Sequence, residues 1–429
     1  MSRSKLSRRD LLRGIAQAAA IGSLGTMGAL PRQAQAAGTD RKFLFFFAGG
    51  GWDATPLDPK FGPDGISPVG GTDMDPDTML GTAGNLSWSS GPDRPSMDRY
   101  FTRWGRRTAL LRGVNVHSAG HEAGMKWVMT GTSASSVPDW PSILASRGTV
   151  EYPMPYLVFG GPAYPGPFGA AVVRGGGGTL LELLDGSING RADLRSPVVP
   201  TPMDEMVDQF VHDRAARYAA KRTGLGALRA EDLRGNIERS MELEGRRFEA
   251  GLNDIGRSML DQALLAVEVM RLGLTRCAMI RIPGGWDTHG GNQRVGAQMD
   301  NFFRDLDALM GHLAATPGTV ADWLIDEVTV VATSELGRTP KFNGSMGRDH
   351  WPYTSMLAAG SGIAGDRAIG ETDEGFVANT VDFRTGLYSG SGDVIGTEHV
   401  GTALLKLGNV DHEQYLPGVQ PLDALLRNP

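Results

Sequence analysis

Phe43-Leu44-Phe45-Phe46-Phe47-Ala48 runs through Gly49 into Gly50-Gly51-Trp52-Asp53. An apolar run of this length, closed by glycines, is the pattern of a strand covered on both faces, as in a largely parallel sheet flanked by helices. The same four residues return at Gly284-Gly285-Trp286-Asp287, after Cys277-Ala278-Met279-Ile280-Arg281-Ile282 and before Thr288-His289. Two strand ends, each followed by a carboxylate, predict a site in the crevice beyond the C-terminal strand ends, where α/β folds bind ligands. A repeated turn whose Asp caps a helix is the alternative.

Working outward, Thr55 to Pro95 is rich in Gly, Pro, Asp and Ser and predicts a long loop. Asp73, Asp75 and Asp77 alternate as in a calcium loop, but Thr78 and Gly84 stand where an EF-hand needs Gly and Glu. Thr108 to Val116 predicts a second strand and His121 to Met129 the helix after it, which puts His117, Ser118 and His121 near a helix N-terminus that favours anions. A short strand is expected at Leu157 to Gly160. The glycine run 175–178 lacks the Lys-Ser/Thr of a phosphate-binding loop. From about 204 to 272 the chain turns charged and Ala/Leu-rich, with Leu260, Leu264, Val267 and Met270 at helical spacing, and predicts a helical insertion. Its Arg/Glu runs read as solvated faces. Strands are then expected at Cys277 to Ile282, Val328 to Ala332 and Met356 to Ala359, with helices near Val295 to Leu313 and at His399 to Leu407.

Ser7-Arg8-Arg9-Asp10-Leu11-Leu12, a weakly apolar stretch from Gly14 to Leu30, and Ala34-Gln35-Ala36 resemble a twin-arginine export signal with its cleavage site. Residues 1–36 are therefore set apart from the folded domain, 37–429. The stretch is short and Gly-rich for a membrane anchor, so no stable span is expected after cleavage. Without those residues, 36 Lys+Arg face 47 Asp+Glu, a balance that does not favour nucleic acid or anionic lipid. Cys277 is the single cysteine, which excludes an intrachain disulfide and leaves stability to the core.

A further strand end carries Thr333-Ser334-Glu335-Leu336-Gly337-Arg338-Thr339-Pro340, followed by Gly347-Arg348-Asp349-His350-Trp351. Asp53, Asp287, His289, Glu335, Asp349 and His350 thus form an oxygen and nitrogen set suited to zinc, manganese or a similar divalent ion. Helix caps and surface ion pairs are the alternative. Arg338 and Arg348 are candidates to neutralise charge on an oxyanion, or ordinary salt-bridge partners.

With Gly284 to His289, Ser334 to Pro340, Gly347 to Trp351 and the twin-arginine start, the chain resembles the exported DUF1501 family, over nearly its whole length. That family is similar to the alkaline phosphatase and sulfatase superfamily, which hydrolyses phosphate or sulfate esters at one or two metal ions. The resemblance implies Asp53 as the first metal carboxylate, Asp287 and His289 as central ligands, Glu335 as the late carboxylate and His350 as the final imidazole. It also implies that His121 to Gly131 is the nucleophile helix, with His121 where a Ser, Thr or Cys nucleophile is expected. Three departures stand out: Asp287 and His289 are two apart rather than four, Leu336 rather than His follows Glu335, and the nucleophile position is imidazole. His121 is then a candidate general base, ligand or nucleophile.

The expected function is that of an exported, periplasmic or secreted, metal-dependent hydrolase acting on a small-molecule or cell-surface ester. Its other expected partner is the twin-arginine export machinery. A non-catalytic exported binding or scaffold protein is the second reading. The third is a carbohydrate module stacking sugars on Trp52, Trp286 and Trp351.

Overall fold

The computed structural model describes residues 41–60, 78–175, 202–224, 226–227, 229–231, 233–235, 238 and 257–427. The twin-arginine stretch, Asp73, Asp75 and Asp77, and most of the glycine run lie outside the described residues. The chain divides into Met1–Ala37 and Gly38–Pro429, and all the elements below belong to the second unit.

Among the described residues twelve strands occur in chain order: β1 (Lys42–Ala48), β2 (Met79–Ala83), β3 (Leu86–Ser90), β4 (Thr108–Asn115), β5 (Tyr156–Val158) and β6 (Val172–Arg174), then β7 (Cys277–Arg281), β8 (Val328–Ser334), β9 (Gly337–Arg338), β10 (His350–Trp351), β11 (Tyr353–Gly360) and β12 (Arg367–Ile369). Eight of them form one sheet in the order β12-β4-β11-β8-β1-β7-β5-β6. Every neighbouring pair is parallel except those of β11, which runs antiparallel to β4 and β8. The mostly parallel sheet flanked by helices expected from the strand-end motifs is present.

β1 is buried along its whole length because it lies between β7 and β8 with helices on both faces. Side chains alternate across a strand, and here they split cleanly. Leu44, Phe46 and Ala48 join one core with Met270, Phe302 and Met310, from the helices Met259–Arg271 and Val295–Ala315. Phe43, Phe45 and Phe47 join the other with Val128, Leu144 and Leu404, from the helices His121–Thr130, Trp140–Ser146 and Thr397–Leu407. Full burial of each such side chain contributes roughly 1.5–3 kcal/mol, which is why this run centres the sheet. Helix Met259–Arg271 starts where Ser258 and Asp261 bond each other's backbone N–H, a reciprocal cap that frees the apolar face behind it to pack. The helical character of the insertion also holds at Pro202–Ala220.

Two expectations need correction. Thr55 to Pro95 is not all loop: β2 and β3 form a hairpin turning at Gly84, whose φ of 60° suits glycine, and a helix begins at Pro95. Gly and Ser within β2 and β3 hide the alternation that marks a strand. The strand expected at Met356 to Ala359 is the longer β11, and it runs against its neighbours. Among the described residues no helix is long and apolar enough to cross a membrane.

Candidate metal centre

The parallel strands end on one edge, and β11, being antiparallel, begins there. That single reversal brings the segment before β11 to the same rim as the segments after β1, β4, β7 and β8. Asp287 thus arrives from β7, Glu335 from β8, His121 from the helix that follows β4, and His350 from just before β11.

The repeated Gly-Gly-Trp-Asp segments leave the sheet side by side, since Phe47 pairs with Arg281 in register. A Cβ on Gly50, at φ 122°, would stand 2.7 Å from the Asp287 backbone nitrogen, so the first copy needs glycine to lie against the second. Trp52 and Trp286 are both buried and meet edge to face, centroids 6.4 Å apart. They brace the floor of the rim and are closed to a sugar, which removes the stacking reading for both. Trp351 is half-buried, its Nε1 donating to the Phe376 carbonyl.

Three imidazoles surround Asp287, and each has its Nδ1 committed outward. His121 Nδ1 lies 2.9 Å from Glu335 Oε1, His289 Nδ1 2.8 Å from Asp349 Oδ1, and His350 Nδ1 2.8 Å from the Ala119 carbonyl oxygen. All three partners accept, so each Nδ1 donates outward and each Nε2 points inward. His289 Nε2 and His350 Nε2 face each other at 3.0 Å, and they stand 3.3 and 3.5 Å from Asp287 Oδ1. His121 Nε2 is 3.6 Å from Asp287 Oδ2. Ring nitrogens this close to one another and to a carboxylate are held together by a shared proton or by a cation.

Electrostatics favour the ligand forms of Asp287 and His350. Burial raises the Asp287 carboxyl pKa, but the Arg338 guanidinium, donating from Nη2 at 2.7 Å, outweighs it together with His289 and His121 and holds the value below the ordinary one. Burial, with Arg338 and His121 nearby, lowers the His350 pKa against the opposing Ala119 and Asp287 contacts, so its ring stays neutral.

The other expected residues surround or brace this cluster, or stand outside it. Asp53 is buried outside the cluster, 3.2 Å from Arg348 Nε, and accepts from Thr55 N, Thr55 Oγ1 and Asn292 Nδ2. Burial raises its pKa, and Arg348, Thr55 and Asn292 together bring it below the usual range. Arg338 and Arg348 are fully buried. Arg338 donates to the carbonyls of Gly50, Gly51, Trp286 and Arg348, and Arg348 to those of Thr339 and Pro340, so both tie the rim loops together. Glu335 and Asp349 stand behind His121 and His289; Glu335 Oε1 also accepts from Gly50 N at 2.6 Å. His117 faces Glu398 at 2.9 Å instead of the cluster, and the Ser118 hydroxyl is engaged with Gly120.

A cavity of about 630 Å³ opens beside Asp287, His121 and Glu335. Its far wall holds Tyr164, Arg174 and Arg281, none of them singled out from the sequence. Arg174 and Arg281 close β6 and β7. The signal that would have found them is the one that found Asp287: position at the C-terminal end of a parallel strand.

The family model described as "Protein of unknown function (DUF1501)" matches residues 199–385, so the resemblance carried by the motifs holds over that stretch. No curated protein matches the chain. Among solved structures the chain is similar to a "putative sulfatase" from Bacteroides thetaiotaomicron VPI-5482, at 9% identity and TM-score 0.34, covering 91% of this chain and 75% of that one. It is similar at 9% identity and TM-score 0.33 to a protein in complex with its substrate D-glucosamine-2-N,6-O-disulfate, over 90% and 80% of the two chains. A protein from Pyrococcus horikoshii follows at 11% and 0.27, over 86% and 98%. Likenesses this loose say nothing of the chemistry of this chain.

Proposed function

We propose that this protein is a metal-dependent hydrolase of phosphate, sulfate or related esters, with one divalent ion, zinc or manganese, held by Asp287, His289 and His350. The observation that carries the reading is the inward-pointing Nε2 atoms of imidazoles whose Nδ1 atoms all face oxygen acceptors, the arrangement that orients metal-binding histidines. Two donors at 2.0–2.1 Å from a tetrahedral zinc stand about 3.3 Å apart. The three separations among Asp287 Oδ1, His289 Nε2 and His350 Nε2, 3.3, 3.5 and 3.0 Å, fit that figure.

An ion bound there supplies electrophilic polarisation of an ester oxygen. The protein's own groups do the rest. His121 lines the cavity with Nε2 free to take a proton from an attacking water, while Glu335 holds Nδ1–H and stabilises the imidazolium that results. Arg338, buried, fixes Asp287 and keeps it ionised. The twin-arginine start supports export to the periplasm or beyond, where a small-molecule or cell-surface ester would be met. One observation favours the second reading, a non-catalytic binding protein: the helix start offers imidazole at His121 and a Ser118 hydroxyl engaged with Gly120.

The test is elemental analysis of the folded protein beside His350→Ala and Asp287→Ala, followed by a screen of phosphate and sulfate esters. The expected result is one equivalent of metal in the wild type, lost in both variants, with turnover that disappears in His121→Ala while the metal stays. Metal without turnover on any ester would overturn the hydrolase in favour of the binding protein. Absence of metal from the wild type would sink the metal site and the hydrolase with it.

A further inference from the structure

We infer that Arg174 and Arg281 form an anion subsite across the cavity from the candidate centre, so that the substrate is an ester with a second anionic group on its leaving part. The inference deepens the hydrolase reading and rests on it for the position of the reacting ester.

The placement follows from register. Val158 pairs with Arg174 on one side and with Met279 on the other, so these three side chains leave the same face of the sheet. Arg281 is two residues beyond Met279 and therefore leaves that face as well. With β5 between them, two strand spacings and two residue rises put their Cα atoms about 12 Å apart. Two extended guanidinium side chains close such a gap around one carboxylate, sulfate or phosphate.

Among the described residues neither cation forms an ion pair. Arg281 has no hydrogen-bond partner among them either, and Arg174 donates once, to the Ala163 carbonyl at 3.1 Å. Both are exposed, in contrast to the buried Arg338 and Arg348. In a domain whose acidic residues outnumber its basic ones, two such guanidinium groups facing a site draw anions to that wall. Phe47 and Met125 line the cavity too, leaving room for an apolar or ring-shaped portion between the anionic end and the reacting ester.

The probes are phenyl phosphate and 4-carboxyphenyl phosphate, titrated calorimetrically into the metal-loaded protein and assayed for turnover. Wild type, Arg174→Gln and Arg281→Gln are compared, with His350→Ala as a control on the centre. The expected result is wild-type binding about tenfold tighter for the carboxylated ester. Each Gln variant loses most of that preference, and binding of phenyl phosphate is nearly unchanged. No preference in the wild type, or a preference kept by both Gln variants, overturns the subsite. The two readings fail separately: turnover of phenyl phosphate without the preference leaves the hydrolase and removes the subsite, whereas the preference without turnover leaves the subsite and removes the hydrolase.

Discussion

Asp53 and Asp287 occupy the same place in the same four-residue motif, yet they do different work. Asp53 is buried with a guanidinium 3.2 Å away and three hydrogen-bond donors, while Asp287 is half-exposed and ringed by imidazoles. The difference lies in the neighbours that the fold brings to each segment, not in the motif. Glu335 likewise acts through another residue, since its Oε1 holds His121 Nδ1. Glu335→Gln keeps the shape and removes the charge, so turnover is expected to fall about 10–100-fold with metal content unchanged. Steady-state kinetics beside elemental analysis checks this. Loss of the metal as well would place Glu335 among the ligands.

The helix His121–Thr130 is set against the end of β8 by Gly124, where a Cβ would meet the Glu335 carbonyl oxygen at 2.5 Å. Gly124→Ala must push the helix outward and carry His121 with it. A displacement near 1 Å is enough to cost about 100-fold in rate, and turnover is expected to fall by that order while the secondary structure by circular dichroism stays intact. At the opposite edge of the sheet, Lys42 opens β1 and bonds Glu327, the residue before β8, at 3.0 Å with both side chains buried. Burial raises the Glu327 pKa, but bonds from Thr319, Val320 and Ala321 and the charge of Lys42 bring it below the ordinary glutamate value of 4.5. A carboxyl depressed in the folded state stabilises fully above its unfolded pKa and loses that contribution as pH falls through its folded value. Glu327→Gln is therefore expected to cost about 3 kcal/mol at pH 7. The gap from wild type should narrow below pH 4.5, as read by urea unfolding across pH.

Across the whole domain, Gly38–Pro429, the buried sheet supplies the core and the rim carries the candidate site. A metal that binds only the folded rim raises the melting temperature as its free concentration rises. Chelation is expected to lower the wild-type melting temperature by several degrees and to leave Asp287→Ala unchanged in a differential scan. An equal effect on both would place the ion elsewhere. Most of the frame was legible in the residues alone: β1, β4, β7 and β8 announce themselves as apolar runs because a strand buried on both faces tolerates little else. The cluster residues Asp287, His289 and His350 were legible for a related reason, since sites in such sheets collect at strand ends. The hairpin β2–β3 was not, because glycine and serine in a partly exposed strand leave no period to read. Nor could local pattern place Asp53 outside the cluster or Arg174 and Arg281 on the cavity wall. Those facts depend on strand order, on the reversal of β11 and on which face each register row presents. Local chemistry sets which residues can form a strand or bind a cation; contacts between segments more than two hundred residues apart, such as Asp53 with Asn292, set which of them meet.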